Sequence, residues 1–196
     1  MLKDNDLHVI DNFISRETAY HIHNYLRTKT HKHEPDQYHP NGLDRFALDG
    51  DDRLLFNGED NLLVQDLIKL IKISVSSYFN LSSDEISLKG MSYTNYGPTQ
   101  SLPAHHDAGV SKNDVYSAIL YLTDDYEGGE FVWYDSYDPG HPESNKYRKS
   151  IPDSGQLYYF NGNDMGHHEV LPVVSGERAC IVFFYTGTTP KKVREN

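Results

Sequence analysis

Ile86-Ser87-Leu88-Lys89-Gly90-Met91-Ser92-Tyr93-Thr94-Asn95-Tyr96 opens a part of the chain unlike what precedes it. From here the apolar and aromatic residues fall into short runs with period two. Five further runs follow, at 115–123, 129–135, 156–161, 168–174 and 178–185. Each is rich in Tyr, Phe, Val or Ile, which suit a pleated and half-buried surface, and each is bounded by Gly, Pro, Asn or Asp. Short strands at this spacing predict a sandwich or jelly roll. The expected class is therefore α+β, mainly β, with a jelly-roll core over 86–186.

Upstream the signal is helical. Leu7 to Ile10 reads as a short extended stretch. Ser15 then has the character of an N-cap, with Glu17 in the first turn, where the helix dipole favours an anion, and the helix runs to about Arg27. Residues 61–79 give a second helix, with Leu63, Leu67, Leu70, Ile71 and Ser74 on neighbouring faces. Residues 1–80 thus form a helical support, and 1–196 one domain. Two long polar segments interrupt the pattern. His31 to Asp60 is expected to hold a short strand around Arg45 to Leu48, or to act as a flap over a site. Ser136 to Ser154 reads as a second long loop.

The chain has 196 residues, enough to bury roughly 70% of its unfolded surface. Its net charge of −11 argues against nucleic acid or an anionic membrane as partner, because both reward clustered positive charge. The single cysteine, Cys180, excludes an internal disulfide. The start has no apolar leader, and no stretch is long enough to span a bilayer, so a cytoplasmic protein is expected.

Pro103-Ala104-His105-His106-Asp107 carries the chemistry. On an extended segment alternate side chains share a face, so His105 and Asp107 point together and His106 points away. An imidazole beside a carboxylate is two thirds of a facial triad, the ligand set of non-haem Fe(II) oxygenases. Alone, the tripeptide fits a loop His beside a capping Asp better than a metal site. A second imidazole is available at Gly166-His167-His168-Glu169-Val170. The stretch His168 to Arg178 has the form H-x-V-x-P-V-x-x-G-x-R, and an Arg so placed offers a planar fork to a carboxylate.

Together these pieces resemble the 2-oxoglutarate and Fe(II)-dependent dioxygenases, in their prolyl 4-hydroxylase-like branch. The resemblance runs from about Ile86 to Tyr185 and rests on His105 with Asp107, Tyr121-Leu122-Thr123, Gly128-Gly129-Glu130 and the run His168 to Arg178. Leu7 to Ser15 is similar to the branch's strand-then-helix entry. The resemblance implies a double-stranded β-helix, a cupin-like jelly roll braced by N-terminal helices. It implies His105, Asp107 and His168 as iron ligands, and Arg178 as partner of the far carboxylate of 2-oxoglutarate. Tyr121 is implied as a further contact of that carboxylate, and Tyr96 as a second residue beside the cosubstrate. It further implies O2 as co-reactant, ascorbate as reductant, and hydroxylation of a prolyl residue in a peptide or protein with release of succinate and CO2. A free amino acid or other small molecule is the alternative substrate. One departure stands out: the family often has Ser or Thr two residues after the Arg, and here that position is Cys180, a weak donor.

The remaining candidates have plainer readings. His106 and His167 are expected as exposed strand-edge residues, Trp133 and Cys180 as core, and His31, His33 and His39 as solvated loop residues. Lys146, Arg148 and Lys149 form a small basic surface cluster. If 168–174 and 178–185 pair as a hairpin, a two-residue loop turns Arg178 away from His168, so an odd-length connection or a bulge is expected. The competing classes are a zinc hydrolase using the same ligands, in which Arg178 would stand idle, and a non-catalytic jelly-roll binding module.

Overall fold

The computed structural model describes residues 7–28, 31–33, 43–47, 59–82, 84–110, 114–162 and 166–187. Ser15 caps the first helix, α1 (Arg16–Arg27): its backbone is extended and its Oγ accepts the Thr18 N–H at 3.1 Å. Ala19, Ile22 and Leu26 recur at helical spacing and are fully buried. The second helix, α2 (Glu59–Tyr78), buries Leu67, Ile71 and Val75 in a stripe of four-residue spacing. Leu70 lies off that stripe and is 51% exposed, so its place on the helix differs from expectation.

Among the described residues the strands follow in the order β1 (His8–Ile10), β2 (His31–His33), β3 (Leu43–Ala47), β4 (Ile86–Tyr96), β5 (Leu102–His105), β6 (Asp114–Tyr121), β7 (Glu127–Gly128), β8 (Phe131–Ser136), β9 (Lys146–Ser150), β10 (Leu157–Asn161), β11 (His168–Val170), β12 (Val173–Ser175) and β13 (Arg178–Gly187). A seven-stranded sheet has the order β1-β10-β6-β13-β4-β3-β2, and a four-stranded sheet has the order β5-β11-β8-β9. β12 pairs with β7 as a separate ribbon. The molecule is layered. Ala19, Ile22, Leu26, Leu67, Ile71 and Val75 pack on one face of the larger sheet, against Met91, Tyr93, Ile181 and Phe183. The other face, with Ile119, Tyr121, Tyr158, Phe160 and Cys180, closes on Phe131 and Trp133 of the smaller sheet. Two antiparallel sheets closed on a shared interior form the expected double-stranded β-helix.

Three expectations need correction. The segment 136–154 is not all loop: β9 lies within it, pairing with β8 at the sheet edge. Its residues Lys146, Tyr147, Arg148 and Lys149 are exposed, so no apolar alternation announces the strand. The run 168–174 is two strands, broken at Leu171-Pro172, because Pro lacks the N–H a ladder needs. The hairpin between this run and β13 does not form. β12 leaves for β7, while β13 enters the larger sheet between β4 and β6. The orientation of Arg178 is therefore set by its pairing with Tyr96, not by loop length. The strand expected at Arg45 to Leu48 is found as β3, and the rest of the flap segment lies mostly outside the described residues.

Candidate metal centre

His105 and His168 are brought together by the ladder itself: they are directly opposed across β5 and β11. Side chains at opposed positions share a face, so both imidazoles point into the interior, with ring centroids 4.3 Å apart. Asp107 stands just past the end of β5, at the start of a single 3-10 turn, rather than on a continued strand. The turn still returns its carboxylate to His105, with Oδ1 3.6 Å from Nε2. One ligand atom from each of His105, Asp107 and His168 lies within 4.8 Å of the others, the one such group among the described residues.

The surroundings fix how these groups present themselves. Each histidine places Nδ1 2.9 Å from a backbone carbonyl, His105 from Pro103 O and His168 from Gly166 O. A carbonyl only accepts, so both Nδ1 atoms carry a proton and Nε2 is the nitrogen each ring turns towards the centre. Burial lowers the pKa of His168 to about 4, and neighbouring His105 pushes the same way. The ring is therefore neutral at physiological pH and ready to ligate. The Asp107 carboxylate is buried, and its Oδ2 accepts a short hydrogen bond from the Ser117 hydroxyl on β6.

Arg178 is 2% exposed at the head of β13. Its guanidinium carbon lies 5.3 Å from the Tyr96 ring centroid and 5.1 Å from that of Tyr121. Nη2 donates to the Tyr121 hydroxyl at 3.4 Å, and Nε has no partner. Burial works against its charge, but Tyr121, Cys180, Tyr126 and Tyr96 outweigh it and hold the pKa above the ordinary arginine value. Burial pushes the Tyr121 hydroxyl well up, and that of Tyr126 to about 12, so both remain neutral donors. Among the described residues no carboxylate pairs with Arg178. A buried cation without a counter-ion is costly, and an anionic ligand relieves the cost. Thr94, Cys180 and Tyr121 form one row across β4, β13 and β6, beside the Tyr96–Arg178 pair. The Thr94 hydroxyl lies 3.1 Å from the Cys180 sulfur, so a hydroxyl from the neighbouring strand stands next to the weak donor.

The Gly128-Gly129 step has a steric reason. A Cβ on Gly129 would sit 2.9 Å from Arg178 Cδ, at a φ of +65° that L side chains rarely adopt. Sequence reasoning missed Ser117, although Ser117, Ile119 and Tyr121 alternate onto one face of β6. It also missed Thr94, two residues before Tyr96 on the same face of β4.

A family model described as "2OG-Fe(II) oxygenase superfamily" matches residues 91–186, which include every residue of this site. Residues 91–186 thus carry the sequence pattern of the 2OG-Fe(II) oxygenase superfamily. Among curated relatives, prolyl 3-hydroxylase 2 of Rattus norvegicus is 32% identical over 72 residues, 36% of this chain and 9% of that protein. The match thus spans about a tenth of that relative's length. Among solved structures, a Pseudomonas putida prolyl-4-hydroxylase superposes with a TM-score of 0.66 at 15% identity, covering 93% of each chain. SnoN, a non-heme alpha ketoglutarate dependent epimerase from nogalamycin biosynthesis, gives 0.70 at 10% identity over 94% of this chain and 79% of its own. At such identities the likeness is one of fold.

The residues of this centre fit the groups named in that family's description. Two imidazoles and one carboxylate suit Fe(II), and the buried guanidinium between two tyrosines, with no carboxylate partner among the described residues, suits the carboxylate of 2-oxoglutarate. The remaining candidates lie outside this centre. His106 and His167 turn away from it, as the alternation requires, and pack on each other at 5.0 Å, half-buried rather than exposed. His167 also stacks on Tyr137 at 4.4 Å. Trp133 is core, opposite His168 in the ladder and nearly parallel to its ring.

Proposed function

We propose that this chain is an Fe(II)- and 2-oxoglutarate-dependent dioxygenase that hydroxylates a C–H bond of a prolyl residue in a peptide or protein, releasing succinate and CO2. The observation that carries the reading is the pairing of two elements in one interior. His105 and His168, on the four-stranded sheet, converge with Asp107, and Arg178, on the seven-stranded sheet, is buried with no carboxylate partner among the described residues. Bound iron supplies the oxidising power drawn from O2 and the 2-oxo acid. The protein's share is placement. Nε2 of His105, Nε2 of His168 and Oδ1 of Asp107 would hold the iron. Arg178, with the Tyr121 hydroxyl, holds the far carboxylate and so sets the direction of the cosubstrate. Phe131, Tyr158, Phe160 and Trp133 exclude water around them. A zinc hydrolase would leave Arg178 buried and idle. The prolyl substrate rests on the names of the relatives, prolyl 3-hydroxylase 2 and prolyl-4-hydroxylase.

The test is succinate formation from 2-oxoglutarate under air, with and without Fe(II), and with a proline-rich peptide added. Iron-dependent succinate that rises with peptide, and a gain of one oxygen on proline by mass spectrometry, are expected. Iron-dependent succinate without a peptide response sends the substrate search to free amino acids and other small molecules. No succinate from folded, iron-loaded protein refutes the oxygenase reading.

A further inference from the structure

Asp107 has two oxygens, and the structure commits them differently. Oδ1 lies on the His105 Nε2 side, at 3.6 Å, while Oδ2 takes the Ser117 hydroxyl proton. Ser117 is wholly buried in the middle of β6, opposite Phe184 in β13 and Phe160 in β10, so neither its backbone nor its rotamer has room to drift. Asp107 is held only by a single turn beyond a strand end, so its own backbone gives a weak guarantee of aim. Gly162 completes the arrangement from a third direction. A Cβ there would lie 2.9 Å from Asp107 Cβ and 2.9 Å from Ser117 Oγ, so the missing side chain is the space the pair occupies.

We infer that Ser117, with the space left by Gly162, is the positioning device that aims Asp107 at the metal through one oxygen. The inference rests on the oxygenase reading above, in which the three ligands must leave the other metal positions open. With Oδ2 bonded to Ser117, Asp107 offers a single oxygen; without that bond the carboxylate is free to rotate and to offer both.

Anaerobic titration with Fe(II), followed through the fluorescence of Trp133, the only tryptophan, which packs against His168, measures metal affinity without turnover. Ser117→Ala is expected to lose about 10–100-fold in Fe(II) affinity, the usual effect of removing a residue that orients a ligand. On iron-saturated protein it is also expected to weaken the visible charge-transfer band that a chelated 2-oxo acid gives. The metal-free melting temperature serves as the structural control: loss of the buried hydrogen bond is expected to lower it by a few degrees and leave the protein folded at the assay temperature. Gly162→Ala keeps the hydroxyl but crowds Asp107, and is expected to show the same losses. It carries the test if Ser117→Ala does not fold. Fe(II) affinity and band within twofold of wild type in a folded variant overturn the inference. A wild-type chain with no affinity for Fe(II) refutes the metal reading and this inference with it; Asp107→Ala, measured alongside, tells the two failures apart.

Discussion

Replacing Arg178 with Met separates cosubstrate binding from stability. The side chain is buried between Tyr96 and Tyr121 and meets no carboxylate among the described residues. Losing it should cost the metal-free fold little, because relief of a buried unpaired charge offsets two ring contacts of ~1–2 kcal/mol each. The cost falls on 2-oxoglutarate. Truncating one partner of a buried, hydrogen-bonded charge pair costs about 2–5 kcal/mol, or ~30- to ~4,000-fold in Kd. The assay is thermal melting with Mn(II) in place of iron, to prevent turnover, and 2-oxoglutarate at a hundred times the wild-type Kd. The wild type then gains about 2.7 kcal/mol, or ~5–10 °C for a chain of this size. Arg178→Met, even at the smallest expected loss, gains only ~0.9 kcal/mol, or ~2–4 °C, under the same conditions. 2-Oxobutyrate, which lacks the far carboxylate, should stabilise both proteins equally. Equal shifts with 2-oxoglutarate would show that Arg178 does not hold the cosubstrate, and the site would need another reading.

Other outcomes follow from the same contacts. Asp107→Ala and His105→Ala should each abolish Fe(II)-dependent succinate formation, and full activity in either would remove the iron assignment. His23 is buried, placed 3.0 Å from the Tyr93 hydroxyl and 3.4 Å from Glu177, and burial lowers its pKa despite the nearby Glu177. Its folded pKa is below the unfolded value of about 6.5, so its contribution is present above that pH and lost as pH falls towards the folded value. The melting temperature of wild type should therefore fall between pH 7 and 5 more steeply than that of His23→Gln; parallel curves would contradict this. Ser15→Ala removes the α1 cap and should cost about 1 kcal/mol in chemical denaturation.

Much of this was legible in local patterns. Ile86 to Tyr96 emerges as β4 with the same bounds, because its alternation serves two buried faces. His105 was legible because an extended segment fixes which neighbours share a face, and His168 from the V-x-P-V register of the run to Arg178. What local pattern lacks is the destination of a strand. The residues from His168 to Ser175 and those from Arg178 onward are joined by two residues yet enter different sheets, so loop length said nothing about Arg178. β9 was missed because an exposed edge strand of Lys, Tyr and Arg buries no face. Ser117 and Gly162 gained their meaning only when β6 and the end of β10 met Asp107, a contact that no spacing within one segment announces.

The two histidines at the metal end lie on the four-stranded sheet, and Arg178 lies on the seven-stranded one. In the proposed binding mode a molecule held by both sheets bridges the gap between them, and that gap is set by side chains that do not compress. The fold is thus a gauge of length. Oxaloacetate, one carbon shorter than 2-oxoglutarate, and 2-oxoadipate, one carbon longer, carry the same two end groups, yet neither spans the same interval, and the barrel should reject both on dimension alone.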